Sequence, residues 1–279
     1  MFRIGFIDYY LDEWHANNYP AWLKKRSGGA MAVTDAFGMI DSPLGGRTTA
    51  AWCADMGIRH RASIREVVDA CDGLIVLSPD NCEMHEQLCE APLRSGKPVY
   101  VDKTFAPDLA SAQRIFAIAR QHGTPCWSSS ALRYAAEYAA LDQEGIRAIH
   151  AWGGGSYENY IIHQIEPVMM LMKAKAAKAM LVPSDNQETL IVIMEDGRLA
   201  SICLAGQGMP FTLCVQGADG VHTAKAEGPF FEVLMDAMIV FFRTGVPPVP
   251  AQDTLDIMAL RGAAMLARET PLAWVDVPR

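Results

Sequence analysis

The sequence predicts a two-part α/β protein: a doubly wound parallel sheet followed by an α+β domain with an open, mostly antiparallel sheet. Three observations carry this. The first half alternates short apolar runs with helical stretches, the rhythm of a parallel sheet whose crossovers are helices. From about residue 130 onward, strand-like runs are joined by tight-turn pairs such as Asp196-Gly197 and Asp219-Gly220, which favour antiparallel pairing. And 279 residues are more than one ordinary domain uses. The boundary implied is 1–130 and 131–279.

Residues 2–8 open the chain as a buried strand, followed by a helix from about Asp12 to Lys25. A second apolar run, Ala30 to Thr34, ends in Asp35. Thr48 to Met56 reads as a helix stopped at Gly57, and Ser63 with Glu66 forms a capping-box pattern for a helix to Ala70. Gly73–Ser78 is the strongest strand signal. Helix Cys82–Ser95, turn Gly96–Pro98, strand Val99–Val101, helix Pro107–Gln121 and strand Pro125–Ser128 complete the first half. In the second half, strands are expected at 147–152, 188–194, 199–204, 211–216 and 221–226. Helices are expected at 163–176, 229–244 and 253–269, with a stiff Pro-rich connector at 246–250.

Composition narrows the function. A 51% apolar, 20% charged chain is that of a packed globular protein. Its net charge of −8, with scattered basic residues, offers no stripe for nucleic acid and none for an anionic membrane. Seven cysteines in apolar surroundings, without a C-x-x-C pair, read as core thiols of a cytoplasmic protein. Cys82, His85 and Cys89 share a helical face but span too much of it to ligate one tetrahedral zinc. No metal is assigned, although the carboxylates and His15 in Asp8–Tyr19 would suit one as they would suit a polyhydroxylated ligand.

Three segments resemble the Gfo/Idh/MocA oxidoreductases: Leu77–His85, Gly96–Phe105 and Gly153–His163. The resemblance implies a Rossmann-type domain for NAD or NADP and a second domain for a sugar, polyol or similar carbohydrate substrate. It implies that Lys103 approaches the reacting hydroxyl, that His163 is the general acid/base, and that Asn159 stands where the family carries a carboxylate. It places Asn81 and His85 at the nicotinamide pocket, Asp102 beside the lysine, and Asp35 at the ribose. Ser78, Asp8 and Tyr10 join the expected cofactor contacts, while Arg133, Tyr134, Tyr157 and Tyr160 are the expected substrate contacts. Members of this family usually run longer, so the second domain reads as trimmed. Its broad sheet face needs cover, which suggests a homodimer or homotetramer.

At the first turn the chain departs from the family pattern. Where G-x-G-x-x-G would let amides approach a pyrophosphate, it carries Asp8, Tyr10, Asp12 and Glu13. A carboxylate about 6 Å from a phosphate costs roughly 2.8 kcal/mol at an effective dielectric of about 20. A helix N-terminus returns only about 0.3–1 kcal/mol. Two readings follow: an atypical NAD(P)-dependent dehydrogenase, or a cofactor-independent lyase, hydrolase or epimerase using the same lysine and histidine. A catalytically inactive sugar sensor is a third.

Overall fold

The computed structural model describes residues 1–141 and 145–279, and the chain divides into two compact units. The first comprises Met1–Ala106, Ala110–Ser129 and Leu234–Ala251; the second comprises Pro107–Leu109, Ser130–Val233 and Gln252–Arg279. The second half of the chain is therefore not all one body: its segment 234–251 is counted with the first unit.

In the first unit, β1 (Phe2–Asp8), β2 (Met31–Gly38), β3 (Arg59–His60), β4 (Gly73–Val76), β5 (Val99–Val101) and β6 (Cys126–Trp127) form a parallel sheet in the order β3-β2-β1-β4-β5-β6. The reversal beside β1 is the switch point at which such sheets bind ligands. Helices α1 (Trp14–Arg26), α2 (Thr49–Met56), α3 (Ile64–Ala70), α4 (His85–Leu93) and α5 (Leu109–Gln121) supply the crossovers. Ile4, Phe6 and Ile7 of β1 are fully buried, as a strand covered on both faces requires. Gly5 is obligatory in that strand, since a Cβ there would lie 2.4 Å from Val67 Cγ1. The expected caps form: Ser63 accepts from Glu66 N, and Gly57 takes the left-handed conformation.

Two differences matter for function. β2 runs to Gly38, not to Thr34, which leaves Asp35 in mid-strand. The segment counted with the first unit is anchored by Phe242, whose ring centroid lies 5.9 Å from that of Phe2, and by Asp236, which accepts from Arg26 Nε at 2.9 Å.

The second unit contains α6 (Ala136–Ala139), β7 (Ala148–Gly153), α7 (Tyr157–Tyr160), α8 (Ile162–Met172), β8 (Ala176–Pro183), β9 (Glu188–Met194), β10 (Leu199–Leu204), β11 (Thr212–Gln216), β12 (Val221–Lys225) and β13 (Val275–Asp276). Helices α9 (Phe230–Thr244) and α10 (Ala251–Glu269) begin in one unit and end in the other. The sheet order is β12-β11-β7-β10-β9-β8-β13; neighbours are antiparallel except the parallel pair β7–β10. Strand β8 corrects the helix expected to reach residue 176. Its Ala-, Lys- and Met-rich sequence favours helix, but α8 stops at left-handed Lys173. The following segment then pairs with β9 on one side and β13 on the other. Tertiary pairing overrides local propensity here.

Candidate active site

In the first unit the end of β1 and the loop after it deliver three acids and a histidine to the carboxyl end of the sheet, and each acid has a different fate. Asp8 is 1% exposed, and its Oδ2 has no hydrogen-bond partner among the described residues. Burial, reinforced by the Glu13 charge, pushes its carboxyl well above the usual range, against the pull of the Tyr9 and Tyr10 amides. Asp12 is neutralised: it accepts from Arg47 N at 2.8 Å, from the Arg47 guanidinium at 2.6 Å and from Asn17 Nδ2 at 3.1 Å. These contacts, the Arg47 guanidinium first, hold its pKa down to about 2.

Glu13 caps α1 with its own side chain. Oε2 accepts from His15 N at 2.7 Å, and Oε1 accepts from Ala16 N. The His15 ring joins this group, with Nδ1 at 3.3 Å from Glu13 and 3.4 Å from Asp102.

Of the seven residues expected at the cofactor, six are buried and Asn81 alone is half-buried. Three of the six are structural ties in this arrangement. Asp35, 2% exposed, accepts from Arg61 Nε at 2.6 Å and from Thr34 Oγ1 at 2.7 Å, one bond on each oxygen. His85 is fully buried: Nδ1 meets Phe105 O at 3.0 Å and Nε2 meets Leu77 O, joining the loops after β4 and β5. Burial also lowers its pKa and keeps the ring neutral. Asp102 is fully buried and accepts from Tyr100 OH at 3.1 Å. Ser78, in a left-handed conformation, closes its loop by donating to Asn81 O at 3.1 Å. The Tyr10 hydroxyl is pushed up to about 12, chiefly by burial and then by Asp80.

Lys103 differs from these. It lies two residues past β5 and is 8% exposed, and among the described residues its ammonium forms no ion pair or hydrogen bond. A buried cation without a committed anion is costly unless a partner arrives, which is what a substrate oxygen provides.

The second unit assembles around Ser130. Its amide donates to Glu166 Oε2 at 2.6 Å, and its hydroxyl lies 2.8 Å from His163 Nδ1. Glu166 also accepts from Arg133 Nε at 2.6 Å, and both side chains are largely buried. His163 is half-buried near the start of α8, flanked by the rings of Tyr160 at 5.5 Å and Phe211 at 5.8 Å. The Ser130 hydroxyl thus fixes the ring through Nδ1. Asn159 lies on α7, separated from His163 by the break at Ile161.

Tyr157 corrects the substrate-contact expectation: it is 2% exposed and donates to Ala264 O at 3.2 Å. Tyr160, by contrast, is 40% exposed. Arg133 lines a cavity of about 510 Å³ together with Lys173, Lys175, Asp253 and Asp256. Tyr134 is half-buried on the same 3₁₀ turn. Gly153 makes room for the buried amide of Gln164, which a Cβ would meet at 2.0 Å. Glu166, Ser130 and Arg47 went unassigned in the sequence. The i, i+3 spacing of His163 and Glu166 was the available signal for the first; the others are set only by folding.

A dinucleotide needs the amides at the start of α1 for its pyrophosphate. Those of His15 and Ala16 are occupied by Glu13, and Asp35 is engaged by Arg61 and Thr34, so a dinucleotide would have to displace Glu13 to use these amides.

Comparison with known proteins bears on both units. Residues 24–130 match the model described as "Oxidoreductase family, NAD-binding Rossmann fold", the GFO_IDH_MocA family. No curated protein matches the chain. Among solved structures, the myo-inositol dehydrogenase of Lactobacillus casei in complex with NAD(H) and myo-inositol aligns at a TM-score of 0.83 and 14% identity, over 100% of this chain and 97% of that one. A probable dehydrogenase from Thermotoga maritima aligns at 0.81 and 15%, over 99% and 98%. UDP-N-acetylglucosamine 3-dehydrogenase from Acidithiobacillus ferrooxidans aligns at 0.74 and 13%, over 96% and 97%. These coverages correct the expected trimming, because the chain spans nearly the whole of each neighbour. Residues 24–130 thus match the Gfo/Idh/MocA oxidoreductase family model, and the chain as a whole shares its fold with these solved structures.

Proposed function

We propose that the chain is an oxidoreductase acting on a secondary alcohol of a sugar, polyol or related carbohydrate derivative. The observation that carries the reading is Lys103: the family's lysine position is kept, buried at the end of β5 and uncommitted to any anion of its own unit. Its ammonium would bind the substrate hydroxyl oxygen and lower the cost of removing that proton. In the second unit His163, fixed through Ser130 and Glu166, is the group able to take or return a proton near neutral pH. NAD or NADP, the cofactor that the family description implies, would supply the hydride acceptor when bound. The dehydrogenase neighbours named for inositol and for a nucleotide sugar support the substrate class. Nothing in these comparisons supports a lyase, hydrolase or epimerase.

The second sheet also supports self-association. Met180, Ile191, Ser201, His150 and Cys214 are cross-strand neighbours in one row, and all are half-buried; the residues alternating with them, including Val192 and Ile149, are buried. We propose that a second copy of the chain covers this face, which light scattering of the purified protein will show as a dimer or tetramer.

The activity test is turnover of a panel of inositols, sugars and nucleotide sugars with NAD⁺ or NADP⁺, followed by absorbance of the reduced nicotinamide. Lys103→Met and His163→Gln are expected to lower kcat by about a hundredfold or more. Absence of turnover across the panel, or full activity in both variants, overturns the proposal.

A further inference from the structure

We infer that Glu13 is a built-in competitor for the pyrophosphate of a nicotinamide dinucleotide. Its carboxylate sits on the amides at the start of α1, and the segment 39–48 latches the loop that carries it. The inference rests on the nicotinamide-dependent reading above and concerns the regulation of that site.

The geometry is specific to this loop. The amides of His15 and Ala16, at the second and third positions of a 13-residue helix, both donate to Glu13. In a doubly wound sheet these are the donors that a pyrophosphate uses. The loop cannot simply swing aside. Beyond the strand ends, Met39 N donates to Asp8 O at 3.0 Å and Ile40 N to Tyr9 O at 2.9 Å, so the chain after β2 runs along the first turn. Arg47 then clamps Asp12 through its amide and its guanidinium. Asn17 Oδ1 secures the clamp by accepting from Arg47 Nη2 at 2.7 Å and from Trp52 Nε1 at 2.8 Å. Gly46 permits the approach, since a Cβ there would stand 2.6 Å from Asp12 Oδ2.

A fixed carboxylate about 6 Å from a phosphate weakens binding about a hundredfold at an effective dielectric of about 20, and about threefold if well solvated. Removing its charge should return a factor within that range.

The test is calorimetric titration of NADH and NADPH into the wild-type protein, Glu13→Gln, Glu13→Gly and Glu13→Asp. Gln keeps an oxygen to cap the helix, Gly is tolerated at the cap, and Asp keeps the charge. The Gln and Gly variants are expected to bind at least one dinucleotide about tenfold or more tightly than wild type, with Asp close to wild type. Adenosine and nicotinamide riboside, which lack phosphate, should bind all four proteins alike. Unchanged or weaker dinucleotide binding by folded Gln and Gly variants overturns the inference, as does equal tightening toward the phosphate-free probes. Binding by none of the proteins also overturns it, since removing the carboxylate then unmasks no seat. The two proposals fail separately. Tight dinucleotide binding by the variants with no polyol oxidised leaves the inference and removes the function; polyol oxidation with no tightening does the reverse.

Discussion

Replacing Asp8 by Asn should stabilise the protein, and increasingly so as pH rises. Asp8 is 1% exposed, with Oδ2 unpartnered, and its carboxyl is held well above the ordinary range by burial and by the neighbouring Glu13 charge. In the unfolded chain the same group releases its proton near pH 3.9. The native state therefore keeps a proton that the unfolded state has given up. The group's contribution to stability is fully present below about pH 3.9 and is lost as pH rises toward the native pKa, at up to about 1.4 kcal/mol per unit. Asn has the same shape, accepts from the same amides and cannot ionise; its NH₂ would face the Glu13 and Asp102 side that now repels a charge. Over pH 4 to 6 the stability difference between Asp8→Asn and wild type should widen by at most about 2.7 kcal/mol in favour of the variant. Urea unfolding at pH 4, 5 and 6, with equal m-values for the two proteins, measures it. A difference that stays constant, or that narrows as pH rises, refutes the assignment of Asp8 as a buried, proton-retaining acid.

Two further predictions test the clamp and the second unit. Asp12, held at a pKa of about 2 chiefly by the Arg47 guanidinium, contributes stability that is present above about pH 4 and lost as pH falls through about 2. Wild type should therefore exceed Arg47→Ala by about 1–2 kcal/mol at pH 5, after discounting for the part-exposed guanidinium, and the gap should close toward pH 2; urea titrations at the two pH values measure it. Glu166→Ala would leave the Arg133 guanidinium without its carboxylate and Ser130 N without its acceptor, and should cost about 3–5 kcal/mol of unfolding free energy. Glu166→Gln, which keeps one oxygen and so one of the two bonds, should cost less, and equal losses for the two variants would contradict the charge-pairing argument.

Much of the fold was legible in the sequence because it rests on local signals. Apolar runs, the Ser63 cap and the Gly57 stop determine where β1, β4, α2 and α3 lie, whatever surrounds them. β8 was not legible, because Ala-Lys-Ala-Met propensity points to helix and only the partners on either side make the segment a strand. The extent of β2 was missed for the same reason, and with it the place of Asp35.

At the candidate site, the resemblance to the Gfo/Idh/MocA segments singled out Lys103 and His163. It could not tell a reactive histidine from a structural one. His85 looks like a pocket residue in sequence, and becomes a backbone tie because Leu77 O and Phe105 O, brought together only by folding, take both ring nitrogens.

The sequence by itself determined that acids replace glycines after β1. Only the tertiary structure decided what each acid does there. A carboxylate's charge and reach depend on what surrounds it, and those surroundings come from separate parts of the chain: Arg47 neutralises Asp12, the α1 amides hold Glu13, and folding buries Asp8.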